Sequence, residues 1–223
     1  MSMRRNIISS VKRRLLKLRL ASKNFTIVSN NCWGAHIYQQ LDIPYQTPFI
    51  GTFLAPACYL HLMANFRWHM KQPLTFVTVS RYEHINVYRT QKGLDYPIGL
   101  LGDNVEIQFL HYHSEADAME KWNRRLQRVA KNDEDLFFKF CDRELCTAEQ
   151  IIAFDNITVK NKVCFVSKPM PQVKTAVWIP ESEEHQVVDG LILSQISPTY
   201  FDAVNWINGG NGKPRWLTPF AIA

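Results

Sequence analysis

From residue 25 onward, short apolar runs alternate with amphipathic stretches. Phe25–Ser29 reads as a buried strand that leads into a helix from about Trp33 to Leu41. Ala57–Met70 predicts a second helix, entered through Pro56, whose fixed φ suits a first helical turn. Leu74–Ser80 is rich in β-branched residues and predicts a strand, and Ile85–Arg89 predicts another. In Val105–Tyr112, Val, Ile and Phe alternate with polar positions, the two-residue period of a half-exposed strand. Ser114 stands as an N-cap, with Glu115 and Asp117 in the first turn of a helix that runs to about Lys131. Leu136–Phe140 predicts a strand, Thr147 caps a helix through Phe154, and Val163–Ser167 predicts a further strand. From Pro169 the chain is rich in Pro and Gly, with one more helix near Thr199–Ile207. Strands that alternate with helices of this length predict a three-layer α/β/α fold with a mostly parallel sheet. No repeat or low-complexity segment interrupts it.

Composition agrees with a globular chain. Of 223 residues, 46% are hydrophobic and 21% charged, which excludes a disordered or fibrous protein. Five Cys at irregular spacing argue against a secreted disulfide framework and for reduced thiols in a cytoplasmic setting.

Charge changes the picture more. The formal net charge is +6, but eight of the 26 Lys and Arg lie in residues 1–24, where there is no acid. That leaves 18 basic against 20 acidic residues, a net of −2, over 25–223. A basic arm (1–24) therefore precedes a single α/β domain (25–223), and the alkaline isoelectric point belongs to the arm. A nucleic-acid partner is not expected, because its positive footprint would spread over the folded part. In the arm, Ile7, Ile8, Val11, Leu15 and Leu18 fall on one helical stripe, among Lys12, Arg13, Arg14, Lys17 and Arg19. Such a helix suits an anionic membrane surface, with residues 4–20 as the contact, so a peripheral place on the inner membrane is one expectation. Packing on its own domain or on a second subunit is the other. Charges interrupt every apolar run too early for a signal peptide.

The chemistry concentrates in Phe25-Thr-Ile-Val-Ser-Asn-Asn-Cys-Trp-Gly-Ala-His36. This strand–turn–helix puts Cys32 at a helix N-terminus, on the rim where open α/β sheets bind ligands. The helix dipole and free backbone N–H groups there favour thiolate and predict a lowered pKa. Asn30 and Asn31 supply amides suited to an oxyanion. The competing reading is a buried packing thiol, common for free Cys. A nucleophilic Cys needs a base. His111 follows the strand from Val105 and should reach the same rim if the two strands are parallel, with His113 a weaker candidate and His36 one helical turn after Cys32. His61 and His69 lie in an aromatic helix, where packing is expected. Arg143, after the strand Leu136–Phe140, offers a planar fork for an anionic substrate group, against a structural Asp142–Arg143 pair. Trp33 and Tyr45 offer stacking surface, or core.

Other motifs are weak. Cys141-x4-Cys146 and His111-x-His113 lack the second close Cys pair of a zinc site, so no metal is expected. No glycine-rich phosphate loop of standard spacing occurs, and Gly209-Gly-Asn-Gly-Lys213 ends in Pro214 where Ser or Thr belongs. Asp133-Glu-Asp135 has the acidic spacing of metal–nucleotide sites in sugar transferases, but precedes its strand.

Phe25-Thr-Ile-Val-Ser-Asn-Asn-Cys-Trp-Gly34, Thr47-Pro-Phe, Tyr96-Pro-Ile-Gly, Phe109-Leu-His-Tyr, Lys121-Trp-x-x-Arg-Leu-x-Arg128, Ala153-Phe-Asp and Asn161-Lys-Val resemble the domain-of-unknown-function 1919 family, over about residues 25–167. Its bacterial members are often described as exopolysaccharide or capsule biosynthesis proteins. The strand–Asn-Cys–helix start also resembles a capsule-biosynthesis acyltransferase group that binds coenzyme A. These resemblances imply a protein of surface-polysaccharide biosynthesis, with a sugar or lipid-linked saccharide as substrate. A coenzyme A thioester is the candidate donor. The expected mechanism is thiol-dependent acyl transfer, with Cys32 as nucleophile and His111 as base. Asn30, Asn31, Trp33 and Arg143 would contact the substrate. A glycosyltransferase using a nucleotide sugar and a non-catalytic membrane-docking adaptor are the alternatives.

Overall fold

The computed structural model describes residues 14–102, 104–182 and 186–214. Two sheets form the frame. β1 (Thr26–Ser29), β5 (Leu136–Cys141), β6 (Asn161–Val166) and β7 (Ala176–Trp178) lie side by side in that order, all parallel. β2 (Leu74–Val77), β3 (Ile98–Leu101) and β4 (Val105–Gln108) form a separate antiparallel sheet. Among the described residues, the domain's α-helices are α1 (Trp33–Leu41), α2 (Pro56–Ala64), α3 (Phe66–His69), α4 (Glu83–Lys92), α5 (Glu115–Leu126), α6 (Ala148–Asn156), α7 (Gly190–Ile196) and α8 (Ala203–Ile207).

The alternation of side chains along β5 divides the core. Phe137 and Cys141 point to the face covered by α1, α7 and α8, where they meet Trp33, Tyr38, Leu193 and Trp206. Leu136, Phe138 and Phe140 point to the other face, covered by α2 and α6, with the antiparallel sheet and α5 beyond. The α/β class and the parallel sheet thus follow the apolar pattern.

Several elements differ from expectation. Val105–Tyr112 does not join the parallel sheet, because Ile98–Leu101, which carries no period-two signal of its own, pairs antiparallel with both β2 and β4. Gly102, at φ +58, makes the turn between β3 and β4. Ile85–Arg89 is the middle of α4, with Ile85 buried, Val87 and Tyr88 exposed, and Gly93 closing the helix in the left-handed region. The helix expected over 57–70 breaks at Asn65. α5 ends at Leu126, short of Lys131. The tail holds β7 and α7, which loop-like composition hides, and the one helix expected there, near Thr199–Ile207, is present as Ser197–Thr199 in 3-10 form followed by α8. The cap residues hold: Ser114 accepts the Asp117 N–H at 3.1 Å, and Thr147 forms a reciprocal capping box with Gln150.

Within the arm, residues 14–18 are helical. Leu16 and Leu20 pack onto the α1–α8 side of the core. Lys17 Nζ meets Asp42 at 3.0 Å, Arg19 pairs with Asp202, and Asn208 bonds the backbone at both Arg19 and Ala21. Of the expected stripe, Leu15 and Leu18 stay exposed, whereas Ile7, Ile8 and Val11 lie outside the described residues.

Gly99 shows how closely the antiparallel sheet is filled. A Cβ there would come within 2.5 Å of the Phe109 ring and 2.8 Å of Leu74. Gly99→Ala is therefore expected to lower the unfolding free energy by about 1–3 kcal/mol through overpacking, read by urea denaturation. An unchanged midpoint would show that the two side chains yield freely.

Candidate active site

β1 ends at Ser29, and the chain turns through Asn30 and Asn31 into α1, with Cys32 as its N-cap. The Cys32 side chain makes no capping bond. The Asn31 Oδ1 takes that role, accepting the Trp33 N–H at 3.2 Å. The thiol is left to interact outward, and its Sγ lies 3.5 Å from the Nε2 of His111. Cys32 is half-buried and His111 exposed, so the pair opens to solvent.

His111 arrives by a route that the expectation of parallel strands did not include. Its strand, β4, belongs to the antiparallel sheet. A strap, residues 49–54, joins that sheet to the end of β1. Phe53 exchanges both backbone hydrogen bonds with Gln108, at 2.9 and 2.8 Å. The Leu54 N–H donates to the Asn30 carbonyl at 3.0 Å, and the His111 N–H donates to the Gly51 carbonyl at 3.2 Å. Tyr112 Oη donates to the Ile50 carbonyl at 2.6 Å. Gly51 sits at φ +69, and a Cβ on it would lie 3.1 Å from His111 Cβ. The absence of that atom is what lets the imidazole lie against the strap.

The electrostatics correct the expected acidity of the thiol. Burial pushes the Cys32 thiol up from its ordinary value and outweighs the positive field of Lys139, and the nearby Asp189 carboxylate adds to the rise. Partial desolvation prevails over the Lys139 field, so the balance favours the thiol.

Lys139 is the functional candidate that sequence reading missed. It stands on β5, fully buried, and its Nζ donates to Asn31 Oδ1 at 2.9 Å and Asn30 Oδ1 at 3.2 Å, with Cys141 Sγ at 3.2 Å. Burial pulls its pKa down, opposed chiefly by Cys141. The signal was a single Lys in the otherwise apolar run Leu-Phe-Phe-Lys-Phe-Cys141.

This cluster reassigns two residues. The Asn30 amide is buried and spent on Lys139 and Cys141, and Asn31 bonds the same two groups while capping α1. Both shape the turn from within instead of donating to an oxyanion. Trp33 is fully buried, with its Nε1 bonded to Ser197 Oγ at 3.0 Å and its ring against Phe165, so it offers no stacking surface. Arg143 lies at the C-terminal end of β5, on the rim shared with Cys32, and its Nη1 holds the Val187 carbonyl at 2.6 Å. Asp142 does not pair with it; that carboxylate accepts from the backbone of Ser167 and Val187 and from the Ser167 hydroxyl. The two residues anchor the segment leading to Asp189 and Gly190. Gly190 packs so closely on α1 that a Cβ would sit 2.9 Å from the Trp33 nitrogen.

Among the other histidines, His36 bonds Gln39 at 3.0 Å, and buried His69 bonds the Asn65 carbonyl at 2.9 Å, near the His61 ring. Asp133 and Glu134 pair with Arg67 and Lys160. Among the described residues, no three His, Cys, Asp or Glu converge as metal ligands, and all five cysteines are free thiols.

The thiol assignment has a direct readout. The rate of Cys32 alkylation should titrate with an apparent pKa above the free-thiol value of about 8.5. Lys139→Met should move it further up by removing the opposing positive field. A value below 8.5, or a profile indifferent to Lys139→Met in a folded variant, would refute this balance.

Two comparisons bear on kinship. A family model described as "Domain of unknown function (DUF1919)" matches residues 3–208. A Haemophilus influenzae protein described as "Uncharacterized protein" is 37% identical over 200 residues, which cover 87% of this chain and 89% of that protein.

Proposed function

The chain belongs to the DUF1919 family, and from that premise and its Cys–His pair we propose that it transfers an acyl group, through a thioester on Cys32, to a saccharide hydroxyl in capsule or exopolysaccharide assembly. The observation that carries the reading is the 3.5 Å approach of His111 Nε2 to Cys32 Sγ across two different sheets. A nucleophile with its base in reach, on an open rim, is the minimal unit of covalent acyl transfer. The saccharide acceptor rests on the resemblance to polysaccharide-biosynthesis proteins, and the donor, a coenzyme A thioester, on the Asn-Cys–helix start. Five free thiols suit a reducing cytoplasm.

Because the resting group is a thiol, His111 works as a general base. As Sγ attacks the donor carbonyl, Nε2 takes the Sγ proton. The tetrahedral adduct expels the coenzyme A sulfur, which leaves as the thiol with the proton from His111, and Cys32 carries the acyl group. A saccharide hydroxyl then attacks that thioester as Nε2 accepts its proton. The ester departs, and the proton returns to Sγ.

Incubating the protein with acyl-coenzyme A thioesters should add one acyl mass on Cys32, and none in Cys32→Ala. His111→Ala should slow acylation by about 10²–10⁴-fold. Gly51→Ala should slow it too, by displacing the imidazole while the thiol stays in place. No adduct, together with turnover of nucleotide sugars, would instead favour glycosyl transfer. Full complementation of a deletion strain by Cys32→Ala would favour a non-catalytic adaptor.

A further inference from the structure

We propose that the pole of the molecule opposite Cys32 docks on an anionic lipid bilayer, through the outward leucines of the arm and a cationic cleft beside them. The arm divides its apolar residues. Leu16 and Leu20 face the core, whereas Leu15 and Leu18, one helical turn apart, are 57% and 75% exposed. Its inward side is already satisfied, so the outward leucines are free to enter another apolar medium.

The surroundings say which medium. Next to the arm lies a cleft of about 720 Å³ lined by Asn24, Gln46, Gln127, Arg128 and Lys131, amides and cations without an acid among them. Lys23, Arg128 and Lys131 are exposed about this cleft and Arg14 is exposed on the arm, with Arg128 also reaching the Tyr45 carbonyl at 3.4 Å. Four of the acids nearby are paired with cations, Asp42 with Lys17, Asp202 with Arg19, Asp133 with Arg67 and Glu134 with Lys160, whereas Asp135 accepts from the neutral Asn24 amide and keeps its charge. Leucines set among cations match an interface of acyl chains under anionic headgroups. Nucleic acid would leave the leucines unused. A second copy would oppose two identical cationic patches across a two-fold axis.

The arm is also a fixed fin. Its bonds to Asp42 and Asn208 hold it at the C-terminal end of α1, about 13 Å along the nine-residue helix from Cys32. Docking by this pole therefore turns the Cys32 rim away from the lipid, toward water-borne substrates.

Sedimentation of the full chain with vesicles tests this. Binding to phosphatidylglycerol-containing vesicles and not to pure phosphatidylcholine is expected, weakening with salt. Arg128→Ala/Lys131→Ala should weaken it by about fivefold per cation. Leu15→Glu/Leu18→Glu, changes at exposed positions that leave the inward contacts intact, should abolish it. Cys32 alkylation at a given pH should be equally fast in bound and free protein. Equal binding to both vesicle types, wild-type binding by either double variant, nucleic-acid binding that the leucine variant retains, or a dimer that the leucine variant dissolves would each overturn the proposal. Slowed alkylation on vesicles would overturn the orientation.

Discussion

The approach of Cys32 and His111 hangs on one short run of backbone hydrogen bonds, the strap at residues 49–54. On one side it closes a two-bond pair with Gln108, at the end of an antiparallel sheet. On the other it donates from Leu54 to the carbonyl of Asn30, at the end of a parallel sheet. Two sheets with no shared ladder are thereby held rim to rim. Cys32 follows Asn30 by two residues and His111 follows Gln108 by three, so the clamp dictates the distance between them. Flexible side-chain contacts alone would leave that distance free, because a Cys–His pair at 3.5 Å adds only a weak bond of its own. Gly51 belongs to this constraint: its positive φ and missing Cβ let the strap pass close under the imidazole.

Beneath the turn lies a second constraint, and it is an unusual one. A buried ammonium is ordinarily met by a carboxylate, since the desolvation of one ion is worth several kcal/mol. The hydrogen-bond partners of Lys139 are instead two amide oxygens and a thiol. That makes the turn costly to hold and easy to place: Asn30 and Asn31 can satisfy Nζ in one arrangement, and the same Asn31 oxygen caps α1. The charge therefore orders the backbone that carries Cys32, while its field partly offsets the burial of that thiol.

How much of this was legible in the sequence depends on the range of the interaction. β1, α1, the Ser114 and Thr147 caps, and strands β5 and β6 rest on local pattern, and the pattern revealed them. The Cys32–His111 pairing was also named from sequence, but for a partly mistaken reason. Parallel pairing of Val105–Tyr112 was expected to bring His111 to the rim, and the strap does it instead. Of the antiparallel sheet, β2 and β4 read as strands, but Gly99 and Leu100 interrupt any period-two signal in β3, so the strand that joins them left no trace. Asn30, Asn31 and Trp33 read as substrate contacts because they flank the Cys. Only the fold reveals that Lys139, more than a hundred residues away, claims the two amides and that Ser197 claims the indole. α4 was misread as a strand because the β-branched Ile85 and Val87, two positions apart, imitate alternation, while Gly93 beyond them closes a helix.

The protonated state of Cys32 has a consequence for how such a site would operate. A preformed thiolate on an open rim is attacked by every oxidant and electrophile in the cell. A thiol held above its ordinary pKa reacts slowly unless a base takes its proton as the electrophile arrives. His111 is exposed, attached through its own backbone to the strap, and close enough to take the proton only along the Sγ–Nε2 line. Reactivity is then conferred by alignment and not by standing charge, and the residues that set alignment, Gly51, Asn30 and Lys139, become as consequential as the pair itself. On the proposed reading, burial of Cys32 would slow the unassisted reaction and favour the one in which the substrate completes the geometry.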